Sequence, residues 1–170
     1  MMRSIQWRRG ATLAAATYGF AGYTAVMLIL EQRMRRSGGP GIIPFELAGN
    51  GIRAEQIMVQ WGPDGERAAK LSLWLDFGYM LTYGTWTALL LERVRSVHGH
   101  PPVVPAVVIP AVAADAVEGM SLLEVLKRTE LHINARRARR AAIIKFAVLG
   151  GALGYCVIGS FNGTRVARRT

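Results

Sequence analysis

The sequence is short of the residues and motifs that carry catalysis or metal binding. It has a single cysteine, Cys156, and three histidines in 170 residues. One cysteine excludes an intramolecular disulfide and any cysteine-based zinc or iron–sulfur site. No histidine lies in a long apolar run, which excludes a haem held between helices by paired histidines. Phosphate-binding loops, dinucleotide-binding glycine patterns and hydrolase signatures are missing. The sequence therefore predicts no cofactor and no metal.

Acidic residues are scarce as well, and charges of both signs avoid four long segments. The chain has 11 acidic against 21 basic residues, a net charge of +10. Residues 11–30 carry no charge, and three later runs carry one or two charges each: residues 71–91, 103–123 and 141–161. About 20 apolar residues are enough to cross a hydrocarbon core as a helix. Four such runs in so short a chain argue against a soluble helical bundle.

These runs predict an all-α membrane protein, a single domain over residues 1–170 with four transmembrane helices. The predicted spans are residues 10–32, 66–93, 102–127 and 138–161. The basic residues flank the runs, which argues against nucleic-acid binding and favours contact with anionic lipids. We expect lipid head groups at four arginines: Arg136, Arg137, Arg139 and Arg140. The expected location is a bacterial inner membrane or an organellar inner membrane.

The connection between the first two predicted spans is long and has a pattern of its own. Its first part, residues 37–44, is rich in glycine and proline and cannot continue a helix. Apolar residues then recur at helical spacing over residues 50–61, with Asn50 as a helix N-cap and Gly62-Pro63 as a stop. We expect a short amphipathic helix that lies on the membrane or covers one end of the bundle. A plain surface helix is the alternative.

Prolines and small residues give two expectations about the helices themselves. Pro105 and Pro110 fall in the first half of predicted helix 3, where proline removes a backbone donor and kinks a helix. Small residues spaced by four let another helix approach closely. We expect close helix packing at two such pairs: Ala15 with Gly19, and Gly150 with Gly154.

Four ionisable residues lie inside the apolar runs, where charge is expensive and each is a functional hypothesis. At about 1.5 Å per residue, Asp76, Asp115, Glu118 and Lys145 all fall in the same leaflet although they come from three helices. We expect a polar cluster of these four groups. Tyr79 and Tyr83 share a helix face with Asp76 and belong to the same cluster.

This cluster has two interpretations. In the first it is a polar pocket in which Lys145 neutralises one carboxylate, and Asp76, Asp115 and Glu118 are candidates for acid–base catalysis. In the second it is a structural salt bridge between helices, and Lys145 extends towards the lipid head groups. No residue is assigned a catalytic role with certainty at this point.

Three stretches together carry a resemblance to a known family. They are PFELAGNGIRAEQIMVQWG (44–62), RAAKLSLWLDFGYMLTYG (67–84) and AADAVEGMSLLEVL (113–126). The chain resembles a family of small uncharacterised four-helix bacterial integral membrane proteins. The resemblance covers the middle half of the chain and implies that Asp76, Asp115 and Glu118 belong to a shared polar cluster. Gly119 departs from it, because the family pattern has asparagine there.

Three functions fit these features. The first is a non-catalytic accessory subunit of a larger membrane complex, such as a respiratory one, with other membrane subunits and lipids as partners. Small size and the lack of catalytic motifs favour it. The second is a small enzyme or binding protein for a lipid or isoprenoid that uses the carboxylate cluster. The third, a proton- or cation-coupled carrier, requires more helices than one copy offers.

Overall fold

The chain is a bundle of helices in a computed structural model that describes the backbone of residues 2–167 and the side chains of residues 10–161. No strand occurs in this part of the chain, so the all-α prediction is confirmed. The helices are α1 (Met2–Arg36), α2 (Ile42–Glu46), α3 (Gly51–His98), α4 (Val108–Leu126) and α5 (Leu131–Ala167), and a 3₁₀ turn at Val104–Val107 precedes α4.

Within the described residues, three segments are long and apolar enough to cross a membrane, so the chain is a multi-pass membrane protein. They are Gly10–Arg36, Val104–Leu126 and Leu131–Phe161. The prediction of four such helices is wrong for the second predicted span, which lies within α3. The apolar run at residues 71–91 mixes its leucines with Asp76 and with tyrosine, threonine, tryptophan and glycine. These residues lower its mean hydropathy below that of the other three runs.

The helices also extend beyond the predicted bounds. α1 continues to Arg36, and α5 begins at Leu131, seven positions before the predicted start at 138. The predicted bounds follow the apolar runs, whereas the helices continue into polar sequence. Residues 134–140, NARRARR, are mostly alanine and arginine. Both are strong helix formers, so this polar segment extends the helix past its apolar part.

A sharp bend divides α3 into two arms, residues 51–61 and residues 63–98. Gly62 has φ 60° and ψ −171°, a conformation open only to glycine, and Pro63 follows it. The side chain of Asn50 accepts a hydrogen bond from the Arg53 amide at 2.8 Å, which confirms the predicted N-cap. In the first arm, Trp61 is buried and its indole nitrogen donates to the Pro40 carbonyl. The predicted amphipathic helix therefore packs over the end of the bundle.

Arg128 ties this bend to the rest of the bundle. It lies in the turn between α4 and α5, where its Nε is 3.1 Å from Glu55 and its Nη2 is 2.8 Å from Glu66. Glu55 belongs to the first arm of α3 and Glu66 to the second. One guanidinium therefore bridges the two arms.

The kink expected in predicted helix 3 is absent, because both prolines lie at the start of the helix. Pro105 is in the 3₁₀ turn, and Pro110 is in the first turn of α4. Backbone N–H groups have no helical partner in these positions, so proline removes nothing that the helix uses. The expectation was wrong because it followed the apolar run and placed the helix start too early.

Close approach between helices in this chain does not use the predicted small-residue pairs. Ala15 is exposed, and a Cβ added at Gly19, Gly150 or Gly154 would meet nothing within 4 Å. α5 instead packs through a buried row of alanines further towards its N-terminus: Ala135, Ala138, Ala141 and Ala142. The predicted pairs therefore face outwards from the described bundle.

Candidate functional site

A lysine surrounded by carboxylates lies at the centre of the bundle. Lys145 of α5 is 7% exposed, and its ammonium nitrogen is 2.9 Å from Asp115 Oδ1 and 2.8 Å from Glu118 Oε2. Asp115 and Glu118 are 2% and 1% exposed and stand one turn apart on the same face of α4. Lys145 therefore does not extend towards the lipid head groups. It bridges two buried carboxylates.

Asp115 has a second strong partner. The Tyr83 hydroxyl donates a hydrogen bond of 2.6 Å to Asp115 Oδ2, so both oxygens of this carboxylate are engaged. Tyr83 comes from α3, Asp115 from α4 and Lys145 from α5. Hydrogen bonds between charged or polar groups inside a protein stabilise best when every member is satisfied. This chain of contacts joins three helices through one buried carboxylate.

Glu46 is a further member of the cluster that the sequence analysis missed. It is the last residue of α2, is 8% exposed, and has Oε2 at 3.8 Å from the Lys145 ammonium. That oxygen has no hydrogen-bond partner. Burial raises the pKa of the Glu46 carboxyl, although Lys145 opposes the rise. Neighbouring Phe45 anchors α2 by packing on Trp61, with ring centroids 4.9 Å apart.

Asp76 and Tyr79 lie beside the cluster without joining its ion pairs. Asp76 is half-buried on α3, and among the described residues no cation lies within ion-pair distance of it. The Tyr79 hydroxyl shares a hydrogen bond of 3.0 Å with Thr24 of α1, not with a carboxylate. Of the six predicted cluster residues, the structure thus joins Tyr83, Asp115, Glu118 and Lys145. The other two line a cavity next to these four residues.

This cavity has a volume of about 740 Å³ and lies between α1, α3 and α5. Its polar end carries these residues: Glu31, Gln32, Arg35, Glu46, Asp76, Asp115 and Lys145. The rest of its lining is mostly apolar and aromatic and includes these residues: Phe20, Tyr79, Tyr83, Trp86, Phe146, Leu149 and Leu153. Ligand cavities of 300–1,000 Å³ with a mostly apolar lining and a few polar groups are typical of small-molecule sites.

α1 and α5 both line the cavity, and the two helices are not extensively packed against each other. α1 packs along α3, and α5 packs on α4 and α3. The rim consists of apolar side chains that are partly exposed in the isolated chain: Leu28 (55%), Phe146 (42%) and Leu153 (39%). Two of these rim residues belong to α5 and one to α1, both of which are apolar enough to cross a membrane. The gap between α1 and α5 is therefore bordered by apolar side chains.

The charges at the polar end do not balance. Glu46, Asp76, Asp115 and Glu118 are four acidic groups, and Lys145 is the one cation that reaches any of them in the described residues. Nearby Glu31 is already engaged, because it pairs with Arg35 at 2.6 Å and accepts the Ile42 amide at 2.8 Å. Uncompensated buried charge is costly. The cluster therefore favours protons or a further positive group.

The remaining predicted residues lie away from the cavity. Arg136, Arg137, Arg139 and Arg140 are exposed, and their contact with lipid head groups stays a prediction. Among residues 10–161, no three histidine, cysteine or acidic side chains are placed to hold a metal ion.

Comparison with known proteins adds no relative. No family model, curated protein or solved structure matches this chain.

Proposed function

We propose that this protein binds a lipid-sized amphiphile in the cavity between α1, α3 and α5. The observation that carries the proposal is the cavity lining, which combines a buried cluster of acidic groups with apolar and aromatic side chains, some of them exposed on α1 and α5. From Glu31 to Phe20 the cavity follows α1 for about 16 Å, at about 1.5 Å per residue. A molecule with a polar head and an alkyl or isoprenoid tail matches this division, and it can enter from the bilayer without passing through water.

The proposal includes four membrane crossings. The second arm of α3, residues 63–98, is the fourth, although it is less apolar than the others. This arm packs against α1, α4 and α5, and its Asp76, Tyr79 and Tyr83 side chains line the cavity instead of facing lipid. Helices that are shielded by their neighbours tolerate polar residues at membrane depth.

Mass spectrometry of the detergent-purified protein tests the binding function. We expect a stoichiometric lipid on the native chain, which Leu149→Trp displaces because the larger side chain fills the apolar end. Ile158→Trp is the matched control, since Ile158 is exposed on α5 and does not line the cavity. A chain that carries no lipid, or one whose lipid survives Leu149→Trp, would contradict the proposal.

A second function, that of an accessory subunit of a membrane complex, is favoured by the outward-facing small residues. Gly150 and Gly151 are exposed on α5, and nothing in the described chain approaches them. If a partner helix packs there, Gly150→Leu releases the chain from its complex during gentle purification. Gly10→Leu is the control, because Gly10 is also an exposed helical glycine with open space around it. Loss of a partner from both variants or from neither would count against this function.

A further inference from the structure

The cavity combines aromatic rings with acidic groups that lack a cation. Tyr79 and Tyr83 follow Asp76 on the same face of α3, and their ring centroids are 5.7 Å apart. Further along the cavity, Phe20 of α1 stacks on Trp86 with a centroid distance of 4.8 Å. Aromatic faces attract positive charge, and quaternary ammonium groups are the ligands typically bound by several rings together.

The polar atoms of these aromatic side chains already form hydrogen bonds with other residues of the protein. Tyr79 is bonded to Thr24, Tyr83 to Asp115, and the Trp86 indole nitrogen to Thr17 at 3.1 Å. A ligand therefore meets the rings and not free hydroxyl groups. These hydrogen bonds also fix the ring positions, so binding does not have to order them.

Two acidic side chains at the polar end have no cation within hydrogen-bond distance. Glu46 Oε2 is buried and lacks a hydrogen-bond partner, and the Lys145 ammonium is too far from it for a hydrogen bond. Asp76 lines the cavity and has no ion pair. The Lys145 ammonium donates to Asp115 Oδ1 at 2.9 Å and lies 2.8 Å from Glu118 Oε2, which like Glu46 Oε2 has no hydrogen-bond partner. An anionic head group would therefore face carboxylates, because the lysine is engaged and Arg35, the other cation lining the cavity, pairs with Glu31.

We propose that the bound amphiphile carries a positively charged alkylammonium head group, which contacts Asp76 and Glu46 and lies against the rings of Tyr79 and Tyr83. The tail follows Trp86 and Leu149 towards the gap between α1 and α5. This inference rests on the proposed binding function and adds the charge of the ligand to it. Compensation of the excess carboxylates by the ligand is the physical basis of the selectivity.

Titration with amphiphiles of opposite charge tests this inference. The full chain is purified in maltoside micelles and titrated with dodecyltrimethylammonium or with dodecyl sulfonate at equal low concentrations. Fluorescence is measured as the difference between the native chain and Trp86→Phe, which isolates the tryptophan next to the tail. We expect a saturable change with the cationic amphiphile and none with the anionic one, while circular dichroism shows the helices intact.

Variants of the polar end make the test specific. Asp76→Asn should weaken binding of the cationic amphiphile by about tenfold, the effect of losing one contact between opposite charges. Asp64→Asn is the matched control on the same helix, because Asp64 is exposed and pairs only with Arg67. Tyr79→Leu provides a second variant that keeps the charges and removes a ring; it should also weaken binding of the cation.

The outcomes separate this inference from the function on which it rests. Saturable binding of both amphiphiles with similar affinity would overturn the ammonium assignment and leave a lipid-binding cavity. Cation binding that persists unchanged in Asp76→Asn and Tyr79→Leu would also overturn it. If neither amphiphile binds and the purified chain carries no lipid, both proposals fail.

Discussion

Lys145 is the residue on which the buried cluster depends. Its removal by Lys145→Met leaves Asp115 and Glu118 without their cation in the interior of the bundle. Breaking a buried ion pair from one side costs about 3–5 kcal/mol. We therefore expect a large fall in thermal stability, measured by circular dichroism in detergent.

Lys127→Met is the control for this prediction. Lys127 pairs with Glu124 at 2.7 Å but is 63% exposed, and exposed pairs contribute at most about 1 kcal/mol. Equal losses for the two variants would show that the buried cluster contributes no more than a surface pair.

Glu46 should make stability depend on pH. Burial raises the pKa of its carboxyl above the ordinary 4.5; Lys145 opposes this rise, and Asp115 and Glu31 add to it. The Glu118 side chain also contacts Glu46 and lowers the pKa of the Glu46 carboxyl. Because the folded state holds the proton more tightly, this contribution is complete below about pH 4.5 and is lost as the pH rises through the folded-state pKa.

The measurement is thermal stability between pH 4 and pH 7 for the native chain and for Glu46→Gln. The native chain should lose more stability over this range than the variant, which cannot ionise. Glu124→Gln, a change at an exposed glutamate that pairs with Lys127, should leave the native slope unchanged. Identical slopes for native chain and Glu46→Gln would contradict the assignment.

Counting residues along the apolar runs was enough to predict the proximity of Asp115, Glu118 and Lys145, because helix rise converts sequence position into depth. Glu46 escaped this reasoning. It lies in the connection between apolar runs, and it reaches the cluster only because α2 folds back under Trp61. The one available signal was its place in the FEL segment at residues 45–47, which belongs to the family resemblance.

At the scale of single helices, the bend of α3 offers a direct test. Gly62→Ala forces a side chain into a backbone conformation that costs about 1–3 kcal/mol, even though the space around Gly62 is open. We expect lower thermal stability. Gly22→Ala is the control: Gly22 is helical and equally open, so alanine there should be neutral or stabilising. A neutral Gly62→Ala would show that the bend relaxes without strain.

The helices themselves could largely be predicted from hydrophobic runs and from residues that cap or break helices. Asn50 and Gly62-Pro63 correctly marked the ends of the first arm of α3. The helical state of the polar flanks could not be predicted, because arginine-rich sequence such as residues 134–140 is compatible with either a helix or a loop. The sequence also could not predict which helix packs against the small-residue faces, since spacing alone does not identify the neighbour.

At the scale of the whole molecule, the four-crossing proposal predicts the side on which each connection lies. Cys156 is the only cysteine, so Cys156→Ala gives a background for single reporter cysteines. Arg36→Cys and Thr129→Cys place thiols at the end of α1 and in the α4–α5 turn, and Val103→Cys places one between α3 and α4. All three native residues are exposed.

A membrane-impermeant thiol reagent added to sealed vesicles reads out the result. Positions 36 and 129 should react from the same side, and position 103 should react from the opposite side. If position 103 reacts from the same side as position 36, the second arm of α3 does not cross the membrane.

The distribution of the ion pairs over α4 and α5 has a consequence for biosynthesis. α4 leaves the ribosome before α5, so Asp115 and Glu118 reach the membrane before Lys145 is available to them. A chain that stops short of α5 carries two acidic groups at membrane depth with no counter-ion. Completion of the ion pairs therefore distinguishes finished chains from unfinished ones, and it gives proteolytic quality control in the membrane a chemical difference to act on.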